Sequence, residues 1–265
     1  MIRKLTEKDR EMTVKFLSKE ASINLFIIGD IEAFGFDKDF QELWGSFNEL
    51  NELEGVLLRY NENYIPYFIN ENCDLNGFKD IINTNTEWKM ISGKESIVAN
   101  FKDILRNPKV ESTYFCELTN KDKLLKYDDE LILEATVEDA QRVYDLLEDI
   151  EEFNLINTDS VEKIQRVINR KTGRIYYISD ENQKLCTVTR TTAENSKSAM
   201  VVGVATRKDC RRKGFMSQCL SKLCNDVLEE GKSLCLFYDN PEAGKVYHKL
   251  GFVSIDKWLM LIEEK

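Results

Sequence analysis

The chain has 265 residues, 42% of them hydrophobic, with three prolines and a net charge of −10 from 37 basic and 47 acidic side chains. Its length suits one large domain or two of ordinary size, and its apolar content argues against disorder. The acidic balance argues against a general nucleic-acid binder, and no run reaches the eighteen apolar residues of a membrane helix, so neither nucleic acid nor membrane is expected as a partner.

The opening residues MIRKLTEKDREM hold no apolar leader core, so a cytoplasmic protein is expected. Seven cysteines form no C-x-x-C pair and there is one histidine, which predicts reduced thiols and no metal site. Met1 to Leu5 reads as a short strand and Thr6-Glu-Lys-Asp9 as a helix start, with the threonine as cap and the acid suited to the helix dipole. Phe40 to Phe47, Leu53 to Tyr60 and Tyr64 to Ile69 alternate like strands, and Gly77 to Asn83 begins a helix. Trp88 to Ile91 and Val98 to Leu105 follow as a strand and a helix. Asn107 to Asp129, with Pro108 and a charged run, reads as a connector.

The opening pattern then returns. Leu131 to Ala135 is strand-like and leads into Thr136-Val-Glu-Asp139, the same Thr-x-x-Asp start half a chain later. Val137 to Ile150 and Ser160 to Asn169 are amphipathic helices, and Arg174 to Ser179 and Lys184 to Thr191 are strands across a polar turn. Ala199 to Val204 is a β-branched strand entering the basic loop Arg207 to Lys213. At Gly214 a helix begins whose apolar residues (Phe215, Met216, Cys219, Leu220, Leu223, Cys224, Val227, Leu228) recur every three or four positions, and Gly231 ends it. Unpaired N–H groups and the dipole make the start of such a helix suited to an anion, and a glycine there lets the anion approach. Ser233 to Asp239 reads as a strand. Asn240 and Pro241 open a further helix that Gly251 closes.

Two stretches carry a resemblance. Val204 to Met216, with R-x-x-G at Arg211 to Gly214, is similar to the coenzyme A signature of the GCN5-related N-acetyltransferases, with Met216 where that family usually has Gly or Ala. Asn240 to Phe252 fills every position of its second signature, N-x-x-A-x-x-x-Y-x-x-x-G-F. The resemblance implies the GNAT fold, an α/β (α+β) architecture with a mixed central sheet flanked by helices. With the repeated opening it implies two tandem domains: a degenerate GNAT-like copy at 1–125, which lacks both signatures, and an acetyl-CoA-binding domain at 130–265.

The implied activity is transfer of an acetyl group from acetyl-CoA, a co-substrate, to a primary amine of a small molecule or peptide by direct attack in a ternary complex. Val202, Gly203, Val204, Arg211, Arg212, Lys213, Gly214, Phe215, Met216 and Asn240 are the implied cofactor-binding residues, and Tyr247 the catalytic acid. His248 is the rival as acid or base, and Glu151 and Glu152 are candidate bases. Adjacent helical residues point about 100° apart, so His248 and Tyr247 do not face the same way. The acidic surface favours an amine or polyamine acceptor. The degenerate first half would wall the acceptor cleft or mediate pairing with another chain, as in a homodimer. The alternative is a non-catalytic coenzyme A sensor or a protein-interaction module. There is no phosphate loop of the nucleotidase type and no G-x-G-x-x-G.

Overall fold

The computed structural model describes residues 1–70, 73–85, 87–150 and 160–263. The chain forms two compact units, Met1–Phe115 together with the stretch beginning at Ser254, and Cys116–Val253. In chain order the elements are β1 (Ile2–Lys4), α1 (Arg10–Leu17), α2 (Leu25–Phe34), β2 (Asp37–Lys38), β3 (Gln41–Phe47), β4 (Leu53–Tyr60), β5 (Asn63–Phe68), α3 (Leu75–Thr84), β6 (Met90–Lys94), α4 (Glu95–Val98) and β7 (Pro108–Leu118). There follow β8 (Leu133–Glu134), α5 (Ala140–Glu148), α6 (Val161–Arg170), β9 (Ile175–Ser179), β10 (Leu185–Thr192), β11 (Ser198–Thr206), α7 (Phe215–Glu229), β12 (Ser233–Tyr238), α8 (Pro241–Lys249) and β13 (Val253–Glu263).

In the first unit β1, β3, β4 and β5 pair antiparallel in that order, and β5 runs parallel to β6. In the second unit β8, β9, β10 and β11 pair antiparallel, and β11 runs parallel to β12. From β1 to α4 and from β8 to α8, β2 aside, the elements follow the same order. Both begin with the same cap. The N–H and hydroxyl of Thr6 donate to Asp9 Oδ2 at 2.9 and 3.1 Å, and those of Thr136 to Asp139 Oδ2 at 2.9 and 3.0 Å.

Two differences from the sequence reading concern the strands that end each repeat. The expected connector contains β7, whose exposed Lys109 and Ser112 give it a linker's composition, although Pro108 at its first position breaks no ladder. β13, the last strand in chain order, lies in the first unit, antiparallel to β6 with Leu259 opposite Gly93 and Leu261 opposite Ile91. Its buried Trp258 meets Phe26 of α2 edge to face at 5.5 Å.

Alternation along the strands of the second unit makes two cores. Tyr176 and Tyr177 are neighbours on β9 yet fall in opposite clusters. One face packs Val201, Leu234 and Leu236 under α7, through Cys219, Leu220, Leu223, Cys224 and Val227. The other packs Ile175, Val188 and Ala205 under α5 and α6, through Val143, Leu147 and Ile164. Burial pushes the Cys219 thiol up to about 12 and raises that of Cys224, so both behave as small apolar groups.

Candidate active site

The site of the second unit starts with a fault in its sheet. β11 and β12 pair only from Ser198–Met200 to Ser233–Cys235, yet β11 continues to Thr206 and β12 to Tyr238. Beyond Met200 the β12-facing edge of β11 is therefore a row of backbone groups without a ladder partner among the described residues. A bulge lies within this stretch, because Val188 faces Ala205 and Arg190 faces Val202, leaving Gly203 and Val204 against the single residue Thr189. Gly203 sits at φ +55°, and a Cβ there would overlap the Arg190 guanidinium. The glycine thus admits both the bulge and the arginine lying across it.

The loop that follows is held from below. Arg207 bonds Asp209, Asp180 at 2.7 Å and the Leu185 carbonyl at 3.1 Å, and Arg211 Nε donates to the Thr206 carbonyl at 3.1 Å. Cys210 is buried, its sulfur 2.7 Å from that of Cys186. The basic run is consequently not uniform. Arg207 is structural, whereas Arg212 and Lys213 are exposed and make no ion pair among the described residues.

Arg212 and Gly214 both adopt left-handed backbone, at φ +63° and +80°, and the first helical bond of α7 runs from Gln218 N–H to the Gly214 carbonyl. The N–H groups of Phe215, Met216 and Ser217 therefore have no acceptor within the helix. A Cβ on Gly214 would meet nothing nearer than Gln218 Nε2 at 3.9 Å, so the space in front of these donors is open. Met216, standing where the resembled signature has a small residue, packs against the α7 core cluster, as does Phe215. Its side chain is turned inward, and its N–H remains a donor.

The second signature forms α8. Asn240 Oδ1 accepts from the Glu242 N–H at 2.9 Å, which leaves its amide hydrogens for a ligand, and Pro241 takes the first helical position. Gly244 gives room to the Tyr238 ring, whose Cζ lies 2.7 Å from where a Cβ would stand. Tyr247 is half-buried between Tyr238 and Phe252, ring centres 6.2 and 6.0 Å away, and its hydroxyl has no hydrogen-bond partner among the described residues. Burial raises its pKa. His248 is differently placed. Its Nδ1–H donates to the Phe252 carbonyl at 2.8 Å, leaving Nε2 to accept from the Tyr238 hydroxyl at 3.1 Å. That pairing makes it a strut between β12 and the end of α8.

The residues expected to bind acetyl-CoA, together with Tyr247 and His248, lie in this one unit, on β11, in the loop and first turn of α7, and on α8 with its cap. The candidate bases Glu151 and Glu152 lie outside the described residues. Arg190 and Tyr238 carry no sequence signal, because what marks them is cross-strand register and a neighbour's missing side chain. Among the described residues no group of three metal-ligating side chains occurs, and no helix is long and apolar enough to cross a membrane.

A family model described as GNAT acetyltransferase matches residues 58–261. Among solved structures, the chain resembles a tandem GNAT protein from the clavulanic acid biosynthesis pathway (13% identity, 98% of this chain and 97% of that one, TM-score 0.59). It also resembles an acetyltransferase of the GNAT family from Colwellia psychrerythraea (15% identity, all of both chains, TM-score 0.58). A third is a GCN5-related N-acetyltransferase from Sphaerobacter thermophilus (12% identity, 98% of this chain and 94% of that one, TM-score 0.64). At these identities the likeness is one of fold. No curated protein matches the sequence.

Proposed function

Since the chain belongs to the GNAT acetyltransferase family, we propose that its second unit transfers an acetyl group from acetyl-CoA to a primary amine by direct attack in a ternary complex. The observation that carries this reading is the coincidence, in one unit, of an open strand edge at Val202 to Val204 with an open helix start at Gly214.

The residues present suit acetyl-CoA as co-substrate. The N–H groups of Phe215 to Ser217 and the side chains of Arg212 and Lys213 would hold the pyrophosphate, where a glycine in left-handed backbone leaves the approach clear. The free edge of β11 would bond the amides of the pantetheine arm as an added strand does. Acetyl-CoA supplies the thioester, whose C–S bond breaks as the amine forms a C–N bond. The acceptor must arrive unprotonated, which requires a base or a relay of water. Tyr247 would return a proton to the departing thiolate, and its raised pKa keeps that proton in place at neutral pH. Much of the rate would come from holding the amine against the thioester. The first unit lacks both signatures and would serve as a degenerate companion domain.

The test is calorimetric titration of acetyl-CoA into the native chain and into Gly214→Trp, followed by thiol release with an amine panel. Micromolar binding, about −8 kcal/mol, should vanish in the variant. Tyr247→Phe should lower kcat by about 100-fold with acetyl-CoA affinity held within about threefold. Acetyl-CoA binding that survives Gly214→Trp would overturn the placement of the pyrophosphate. Binding without thiol release from any amine would turn the reading into one of a coenzyme A sensor.

A further inference from the structure

Tyr247 is placed by packing alone. Its ring lies between Tyr238, the last residue of β12, and Phe252, just past α8, with ring centres 6.2 and 6.0 Å away. Its hydroxyl makes no hydrogen bond among the described residues, so whatever fixes the two neighbouring rings also fixes where that hydroxyl points.

His248 holds both of them. Its Nδ1–H donates to the Phe252 carbonyl at 2.8 Å, and its Nε2 accepts from the Tyr238 hydroxyl at 3.1 Å. A carbonyl cannot donate, which sets the tautomer and leaves Nε2 as the acceptor. The imidazole also meets the Tyr238 ring edge to face, with centres 5.9 Å apart. Phe252 is tied a second time, by its N–H to the Tyr247 carbonyl at 3.1 Å. Strand end, helix and following turn are thus clamped around one phenol.

Gly244 belongs to the same arrangement. It lies inside α8 with ordinary helical backbone, where alanine would favour the helix. A Cβ there would stand 2.4 Å from Tyr238 Cε2, so the missing side chain is the space that the ring fills. His248 itself is exposed, and its two hydrogen bonds rather than burial are what it gives.

We propose that His248 is a positioning residue, which by gripping Tyr238 and Phe252 aims the Tyr247 hydroxyl at the departing sulfur of acetyl-CoA. The proposal rests on the reading of Tyr247 as the acid of acetyl transfer. A proton passes efficiently only when donor and acceptor stand within hydrogen-bond reach, about 2.6–3.2 Å. A phenol free to swing therefore loses rate and not cofactor affinity. Adjacent helical positions set His248 about 100° from Tyr247, so the imidazole acts through the two rings and not on the substrate.

The experiment is a double-mutant cycle on the full chain, read by thiol release from acetyl-CoA with the best amine of the panel. His248→Leu should lower kcat by about 3- to 10-fold, with KM for acetyl-CoA held within about twofold. His248→Gln, which offers Tyr238 an acceptor near the place of Nε2, should recover part of the rate. Gly244→Ala, which displaces Tyr238 directly, should cause a loss of similar size with His248 in place. In a Tyr247→Phe background neither change should lower kcat further, because each acts through the phenol. Equal losses in both backgrounds, or losses in KM alone, would overturn the proposal and leave Tyr247 as the acid. A kcat that Tyr247→Phe leaves untouched, or failure of acetyl-CoA to bind, would overturn both readings.

If acetyl-CoA binds and no amine turns over, NMR of the chain labelled with carbon-13 at tyrosine Cζ decides, with Tyr247 assigned by its loss in Tyr247→Phe. Burial raises the Tyr247 pKa, so a loosened phenol should ionise at lower pH, nearer the ordinary value of about 10, in His248→Leu and Gly244→Ala. A shift in both variants supports the clamp, and a titration that neither of them moves sinks it.

Discussion

Asp30 shows how much a single carboxylate can reveal that its neighbours in sequence do not. It sits on α2 one turn before Phe34, and burial alone raises its pKa to about 7, from a usual value near 4. Between those values the folded chain binds a proton that the unfolded chain has released, so stability falls as pH rises from about 4 through about 7. Asp30→Asn should therefore stabilise the protein by roughly 2–4 kcal/mol at pH 8 and have little effect near pH 4. Urea unfolding at the two pH values checks this; an effect of equal size at both would mean that the carboxylate is not the cause. Nothing in LFIIGDIEAF marks this aspartate. Tyr247 is the contrary case. The pattern N-x-x-A-x-x-x-Y-x-x-x-G-F singles it out from sequence alone, whereas the isolation of its hydroxyl follows from how Tyr238 and Phe252 pack around the ring. Arg190 is invisible in sequence for a different reason. Its position depends on which residue faces it across a bulge, and a bulge leaves no periodicity to read.

Elements are more legible than residues where local chemistry sets them. The Thr-x-x-Asp starts form caps of matching geometry because both partners lie within one turn of each other. In the first of them Arg3, hydrogen-bonded to Asp9, holds that carboxyl down at about 2, with the Thr6 N–H and hydroxyl assisting. The group's folded value is depressed, so its contribution is present above about pH 4 and lost as pH falls through about 2. Asp9→Asn should cost about 1–2 kcal/mol at pH 7, allowing for solvent screening of the partly exposed Arg3, and the difference from the native chain should close near pH 2. Thermal unfolding at both pH values is the measurement, and a gap that persists in acid would point to lost cap geometry. Leu53 to Tyr60, apolar through Val56, Leu57 and Leu58, reads as a strand with the bounds it has in the fold, since it is covered on both faces. β7 escapes such a reading because Lys109 and Ser112 are exposed and only Phe115 to Leu118 has a core pattern.

For the whole molecule the duplication is legible in the repeated strand and Thr-x-x-Asp start, and the order strand, two helices, three strands, helix, strand, helix, strand is legible in the second half; in the first half α2 goes unread, because LFIIGDIEAF is apolar on every side and shows no helical face. Membership of the last strand is not legible, since chain order says nothing about which sheet edge a strand will choose. Leu261 is fully buried opposite Ile91 of β6. Leu261→Ala should cost about 2–5 kcal/mol, and hydrogen exchange should accelerate first at β5 and β6, in the sheet that β13 completes, with β9 and β10 following only at global unfolding. Faster exchange at β9 and β10 alone would show that β13 supports the other unit.

The ladder between β6 and β13 also sets an order of events during synthesis. β6 leaves the ribosome about 160 residues before its antiparallel neighbour exists, a wait of roughly 8–30 s at ordinary translation rates. Through that interval the half of the chain made first carries an unfinished sheet edge, while the half made later can fold around its own helices. The half made first, which lacks both signatures, would thus be the last part of the protein to close, and a nascent chain stalled anywhere before Val253 would offer a naked β-edge to whatever chaperone is nearest.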